Sequence, residues 1–221
     1  MPEAGIDRPF IFVLAGVDGA GKSSVGGALL AEHGLTWFNP DSFARELAAQ
    51  LGLKTEEANG RAWEHSRLQL EAAIANGTNY ALETTLGART TPTLLAKAAS
   101  THDVVMLFCG LQSPEMHIQR VRARVANGGH DIPERKIREH WVASRVNLIR
   151  LMPPLARLQV FDNSTEAAAG HDIPDLVLVL EMVRGQLTFP ATDDAKALNT
   201  TPEWSRAIVQ AAFEHRAGAA N

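Results

Sequence analysis

Residues 9–24 read PFIFVLAGVDGAGKSS, an apolar run that stops at a glycine and passes through more glycines into Lys-Ser-Ser. Phe10–Ala15 is branched, aromatic and free of polar residues, which predicts a strand covered on both faces. Gly16-Val17-Asp18-Gly19-Ala20-Gly21-Lys22-Ser23 fits G-x-x-x-x-G-K-[ST] without a mismatch. A strand, a glycine turn and a helix start in this order make an anion cradle. Glycines let the backbone wrap a phosphate with its N–H groups turned inward, and the helix adds its positive end. On this reading Gly16, Asp18, Gly19, Ala20, Gly21, Lys22, Ser23 and Ser24 bind the phosphates of ATP. Lys22 spans the β- and γ-phosphates, and the Ser23 hydroxyl ligates Mg²⁺.

Outward from this loop, the pattern alternates. Lys22–His33 predicts a helix, Leu35–Asn39 a second short strand, and Asp41 or Ser42 the cap of a helix through Gln50. Thr55 opens a longer helix that Gly77 stops. Asn79–Glu83 reads as a third strand, residues 93–100 as a helix and Asp103–Cys109 as a fourth strand. Ser113-Pro114 starts a helix that Asn127-Gly128-Gly129 ends, and Pro133 starts another running to Leu151. Val160–Asp162 and Leu176–Met182 predict two more strands, 184–200 an irregular segment and 203–217 a short surface helix. Strands alternating with helices imply a mainly parallel sheet. The expectation is an α/β, P-loop, nucleotide-kinase-like three-layer fold. It would form one domain over 1–221, with its core at about 9–183, a helical lid at about 114–150 and a C-terminal extension at about 184–221.

Composition narrows the classes. Apolar residues make up 45% and charged residues 21%, and Cys109 is the one cysteine, so disulfide frameworks and cysteine zinc sites are excluded. No apolar run is long enough to span a bilayer, and the first ten residues do not resemble a signal peptide, which predicts a cytoplasmic protein without a membrane partner. The net charge of −4 conceals an imbalance: Arg120–Arg150 carries +5 and the rest of the chain −9. Sixteen arginines stand against five lysines, and arginine suits fixed phosphate contacts. The acidic remainder argues against a nucleic-acid partner.

In such a sheet the ligand crevice lies beyond the carboxyl ends of the strands. Asn39-Pro40-Asp41, Glu83-Thr84-Thr85 and Gly110-Leu111-Gln112 follow three predicted strands there. Asp41 can take the proton of an acceptor hydroxyl or cap the helix that follows it. Glu83 can hold the acceptor, act on the metal through water, or stand as a strand-end charge. Arg120 and Arg124 share a helical face from which a lid could reach the phosphates, with Gly128 and Gly129 as hinge and His130 beyond; the same charges could also form a solvated face. His65 and His117 read as packed or exposed helix residues, Trp63 and Trp141 as core or lid anchors, and Cys109 as a small buried hydrophobe.

The order LAG-x-x-G-A-G-K-S, FNPDSFA, ALETTL, LFCGL-x-S-P-E, RVRARVANGGHDIPERKIREHW and FDNS, from Phe10 to about Asn163, resembles the zeta-toxin family of P-loop kinases. The resemblance implies transfer of phosphate from ATP to the amino-sugar hydroxyl of UDP-N-acetylglucosamine or a related sugar nucleotide, and an antitoxin protein that blocks the ATP site. It implies Lys22 and Ser23 on phosphate and metal, Asp41 as base, Glu83 with Thr84 and Thr85 at the sugar nucleotide, and Arg120 near the phosphates. Arg124, His130 and Arg138 are further lid candidates. The chain departs from the family with Gly16-Val17-Asp18, where relatives often carry Gly-Pro-Asn, and with GGHDIP in the lid. A kinase for another small metabolite and an ATP-binding interaction protein that transfers nothing are the alternative readings.

Overall fold

The computed structural model describes residues 8–24, 26–27, 36–165, 176–191 and 194–219. Six strands form one sheet: β1 (Phe10–Ala15), β2 (Tyr80–Thr84), β3 (Asp103–Gly110), β4 (Arg157–Asp162), β5 (Val177–Val183) and β6 (Gln186–Phe189). Their spatial order is β2-β1-β3-β4-β5-β6. The first four run parallel, β5 pairs antiparallel with β4, and β6 pairs antiparallel with β5. Helices fill the connections: α1 (Pro40–Leu51), α2 (Thr55–Asn76), α3 (Thr90–Ala98), α4 (Pro114–Ala126), α5 (Glu134–Leu151), α6 (Ala195–Thr200) and α7 (Arg206–Ala219). The chain is also helical at 22–24 and 26–27, and the remainder of the expected Lys22–His33 helix lies outside the described residues.

Alternation along β1 divides the layers. Ile11, Val13 and Ala15 enter the large core with Leu82, Met106, Phe108, Leu148 and Leu158. On the opposite face Leu14 packs with Leu107, Phe12, Trp37 and Phe161. A sheet with both faces covered reads as unbroken hydrophobicity, as β1 and β3 do.

Three expectations are corrected. The strand expected at Leu35–Asn39 is a single bridge, Phe38 to Leu82, with Phe38 N–H on the Ala81 carbonyl at 2.9 Å and Glu83 N–H on the Phe38 carbonyl at 2.9 Å. Pro40 occupies the first turn of α1, so the chain leaves the sheet edge directly into a helix. The segment after 184, expected to be irregular, supplies β6 and α6. Nor is the terminal helix a surface one: Ile208, Val209 and Ala212 of α7 are buried in the main core with Trp204. Residues 184–219 therefore build part of the core to which they were expected to be appended. The Trp204 indole lies where Gly110 has no Cβ, and its Nε1 donates to Asp162 Oδ1 at 3.1 Å.

Candidate active site

Register brings the chemistry to one edge. Ala15 pairs with Thr84 and Phe108, and Gly110 with Asp162, so the carboxyl ends of four parallel strands lie side by side. The glycine loop leaves β1 there and is tied down from three directions. Gly16 N–H reaches the Thr84 carbonyl at 3.2 Å, Asn163 Nδ2 reaches the Ala20 carbonyl at 2.8 Å, and His117 Nδ1 reaches the Asp18 carbonyl at 2.8 Å. Gly16 has φ +140°, and a Cβ there would strike the Cys109 carbonyl, so only glycine fits. Cys109 itself is buried and its thiol is pushed up to about 11 by that burial, which suits a packing role.

Lys22 is buried with its Nζ 3.5 Å from Glu83 Oε1. Burial alone would depress the ammonium, but the carboxylates of Glu83, Asp18 and Asp41 together outweigh it and hold Lys22 above its ordinary value. The Ser23 hydroxyl donates to Glu83 Oε2 at 2.8 Å, and Asn39 Nδ2 donates to the same oxygen at 2.9 Å. Glu83, read from sequence as an acceptor or metal residue, thus sits directly on the two phosphate-loop residues. Among the described residues no group of three or more His, Cys, Asp or Glu could hold a metal ion unaided. The Ser23 hydroxyl and Glu83 carboxylate are a hard oxygen pair that fits Mg²⁺ carried in with phosphates.

Asp41 was expected either to cap its helix or to serve as base. The cap is Asn39, whose Oδ1 accepts from Asp41 N–H at 2.9 Å and Ser42 N–H at 3.1 Å. The Asp41 carboxylate is thereby left to the cavity, with Arg124 Nη1 at 4.0 Å. Arg124 also donates to the His130 carbonyl at 2.9 Å, and His130 Nε2 lies 3.3 Å from Asn59 Nδ2 of α2. Arg120, one turn earlier on α4, reaches away from them to the carbonyls of Asn163 at 2.8 Å and Thr165 at 3.2 Å, beside the phosphate loop. Arg138 does not join this set: it pairs with Glu115 at 2.6 Å outside the cavity, because its position on α5 faces the start of α4. Arg122 is likewise paired, with Glu134.

A cavity of about 940 Å³ runs from Lys22 and Glu83 past Asp18, Asp41, Thr84 and Thr85 to α2 and α5, with His130 at its rim. Sequence reasoning missed several of its walls. Trp63, read as a core or lid anchor, is 44% exposed and lines it, as do Asn59, Lys136 and His140. His140 Nδ1 lies 3.3 Å from Asp18 Oδ2. His117 does pack, at 1% exposure, but its packing partner is the phosphate loop. No linear motif carries these walls; the signal was only that α2 and α5 flank the strand ends. Ser24 is exposed outside the cavity.

A family model described as AAA domain (AAA_33) matches residues 11–145. No curated protein matches the chain in sequence. Among solved structures, the AvrRxo1-ORF1:AvrRxo1-ORF2 complex with sulphate ions aligns with a TM-score of 0.62 at 17% identity, over 89% of this chain and 64% of that one. The AvrRxo1-ORF1:-ORF2 complex with ATP aligns at 0.60 with 17% identity over the same shares. The PezAT chromosomal toxin–antitoxin system of the human pathogen Streptococcus pneumoniae aligns at 0.54 with 16% identity, over 96% of this chain and 87% of that one. The chain thus spans about two-thirds, 64%, of the AvrRxo1 chain it matches. These likenesses are likenesses of fold. The chain belongs to the AAA_33 family of AAA domains, with the zeta-toxin-like P-loop kinase fold.

Proposed function

We propose that this protein is a phosphotransferase that moves the γ-phosphoryl group of ATP to an alcohol of a small molecule, with UDP-N-acetylglucosamine or a related sugar nucleotide as the leading acceptor. One observation carries the reading: the cavity that holds Lys22 and Glu83 at its phosphate end also holds the Asp41 carboxylate, which its helix does not use as a cap. Lys22 and the loop backbone bind the phosphates. Ser23 with Glu83 would hold Mg²⁺, which screens phosphate charge when bound. Asp41 accepts the acceptor's proton while the alcohol oxygen bonds to the γ-phosphorus and the bond to ADP breaks. Arg120 and Arg124 bring positive charge from α4, Arg120 to the Asn163 carbonyl and Arg124 to the Asp41 carboxylate. Glu83, Thr84 and Thr85 form the wall between ATP and the acceptor.

The solved likenesses include complexes whose names record a second component, which supports a protein partner for this chain as well. Among the described residues no helix is long and apolar enough to cross a membrane, and a cytoplasmic location is part of the same proposal.

The test is ADP release with a panel of sugar nucleotides, sugars and nucleosides, with products read by mass spectrometry. A phosphorylated product is expected, and Asp41→Asn is expected to slow its formation by about 10²-fold or more. Tight ATP binding without acceptor-dependent ADP release would replace this reading with a non-catalytic one.

A further inference from the structure

Asp18 is a carboxylate the loop does not need for its own folding. The turn is held by main-chain and neighbouring groups: Gly16 N–H on Thr84, Ala20 N–H on the Val17 carbonyl at 3.0 Å, Asn163 on the Ala20 carbonyl, and His117 on the Asp18 carbonyl. None of these uses the Asp18 side chain. Yet that side chain is only 5% exposed, and placing a charge so deep is unfavourable unless something compensates. Oδ2 meets His140 Nδ1 at 3.3 Å, and Oδ1 accepts no hydrogen bond from the described residues, although the carboxylate lines the cavity. Both lid helices grip this one residue, α4 through His117 on its carbonyl and α5 through His140 on its carboxylate.

Resting on the phosphotransferase reading, we propose that the Asp18 carboxylate binds a second hydrogen-bond donor of the acceptor, a hydroxyl or N–H next to the reacting alcohol, and that His140 is the positioning residue that aims it. The reacting alcohol has one proton, and Asp41 takes it, so the hydrogen bond to Asp18 comes from a neighbouring group. The acceptor class that follows is a vicinal diol or amino alcohol. With Lys22 taken up by the phosphates of ATP, a further phosphate or carboxylate at the reacting end would meet the Asp18, Asp41 and Glu83 carboxylates of the same cavity. That disfavours nucleoside monophosphates as acceptors. Asp18 is ionised at neutral pH: burial would raise it, but the His140 hydrogen bond and Lys22 outweigh this and hold it at about 2. It is therefore a pure acceptor of hydrogen bonds.

The experiment measures ADP release and product mass for the full chain with ATP and matched acceptors that keep or lack the neighbouring donor, together with a nucleoside monophosphate. Wild type is expected to prefer the donor-bearing member of each pair by about tenfold or more. Asp18→Asn is expected to raise the KM of the best acceptor by about tenfold and abolish that preference. His140→Leu shares the defect. His140→Asn, whose side-chain N–H falls near the position of Nδ1, restores most of the preference, which a merely structural role would not predict. Phosphorylation of both members of a pair alike, or an unchanged acceptor KM in Asp18→Asn of wild-type melting temperature, overturns the inference and leaves the kinase reading standing. ADP release that no alcohol accelerates sinks both.

Discussion

His117 Nδ1 donates to the main-chain carbonyl of Asp18 across 2.8 Å, joining helix α4 to the phosphate loop. The imidazole is almost fully buried, and burial, more than any neighbouring charge, holds its pKa down at about 4. Folding therefore favours the neutral ring. The resulting stability is complete above the unfolded value of about 6.5 and is lost as the pH falls through the interval to about 4, by on the order of 3 kcal/mol. Urea titrations across this range should show wild type losing stability on acidification. His117→Asn keeps an N–H for the carbonyl but cannot titrate, and its curve should be flatter.

Lys22→Met removes the cation among three carboxylates. ADP release is expected to fall by at least about 10²-fold. Glu83 and Asp18 lose their counter-charge while still buried, so the melting temperature should fall too, unlike that of a variant damaged in chemistry alone.

Glu83→Gln keeps the shape of the side chain but removes its charge beside Ser23 and Lys22. The Mg²⁺ concentration for half-maximal turnover is expected to rise about tenfold, read by titrating Mg²⁺ at saturating ATP. A change in maximal rate without a shift in the Mg²⁺ midpoint would separate Glu83 from the metal.

Asn39→Ala removes both the cap of α1 and a hydrogen bond to Glu83. The cap alone is worth about 1 kcal/mol, so a modest loss of stability is expected in denaturant titrations. Asn39→Asp keeps the cap but sets a second carboxylate beside Glu83, and should recover stability less than fully.

Ile208→Ala tests the terminal helix. Ile208 is fully buried, and its truncation is expected to cost about 2–5 kcal/mol, a cost that a surface helix would not show.

What was legible follows from how local each signal is. Residues 16–23 carry their geometry in their own composition, so the loop, its strand and its phosphate chemistry could be read directly. β3 was readable because both its faces are covered. The bridge at Phe38 was over-read as a strand because two aromatics beside a threonine have strand propensity, while Pro40 leaves no length for one. The terminal helix was under-read because its few buried positions, Ile208, Val209 and Ala212, gain their partners from packing against α5, β5 and β6, which nothing in its own sequence encodes. Among the cavity's walls, Asp41 and Glu83 could be placed from strand ends. Asp18 with His140, 122 positions apart, could not, because nothing in either neighbourhood encodes a contact made by packing α5 across the strand ends.

Trp63 has a consequence of another kind. Trp141 lies under the Arg145 guanidinium, 3.5 Å from its ring centroid, Trp204 stacks near Phe108, and Trp37 packs on the far face of the sheet. Trp63 alone of the four lines the cavity, half in water. A molecule entering beside α2 will dry that indole and shift its emission to shorter wavelength, while the other three remain a steady background. The protein thus carries its own optical reporter of what enters that cavity, one that needs neither label nor turnover.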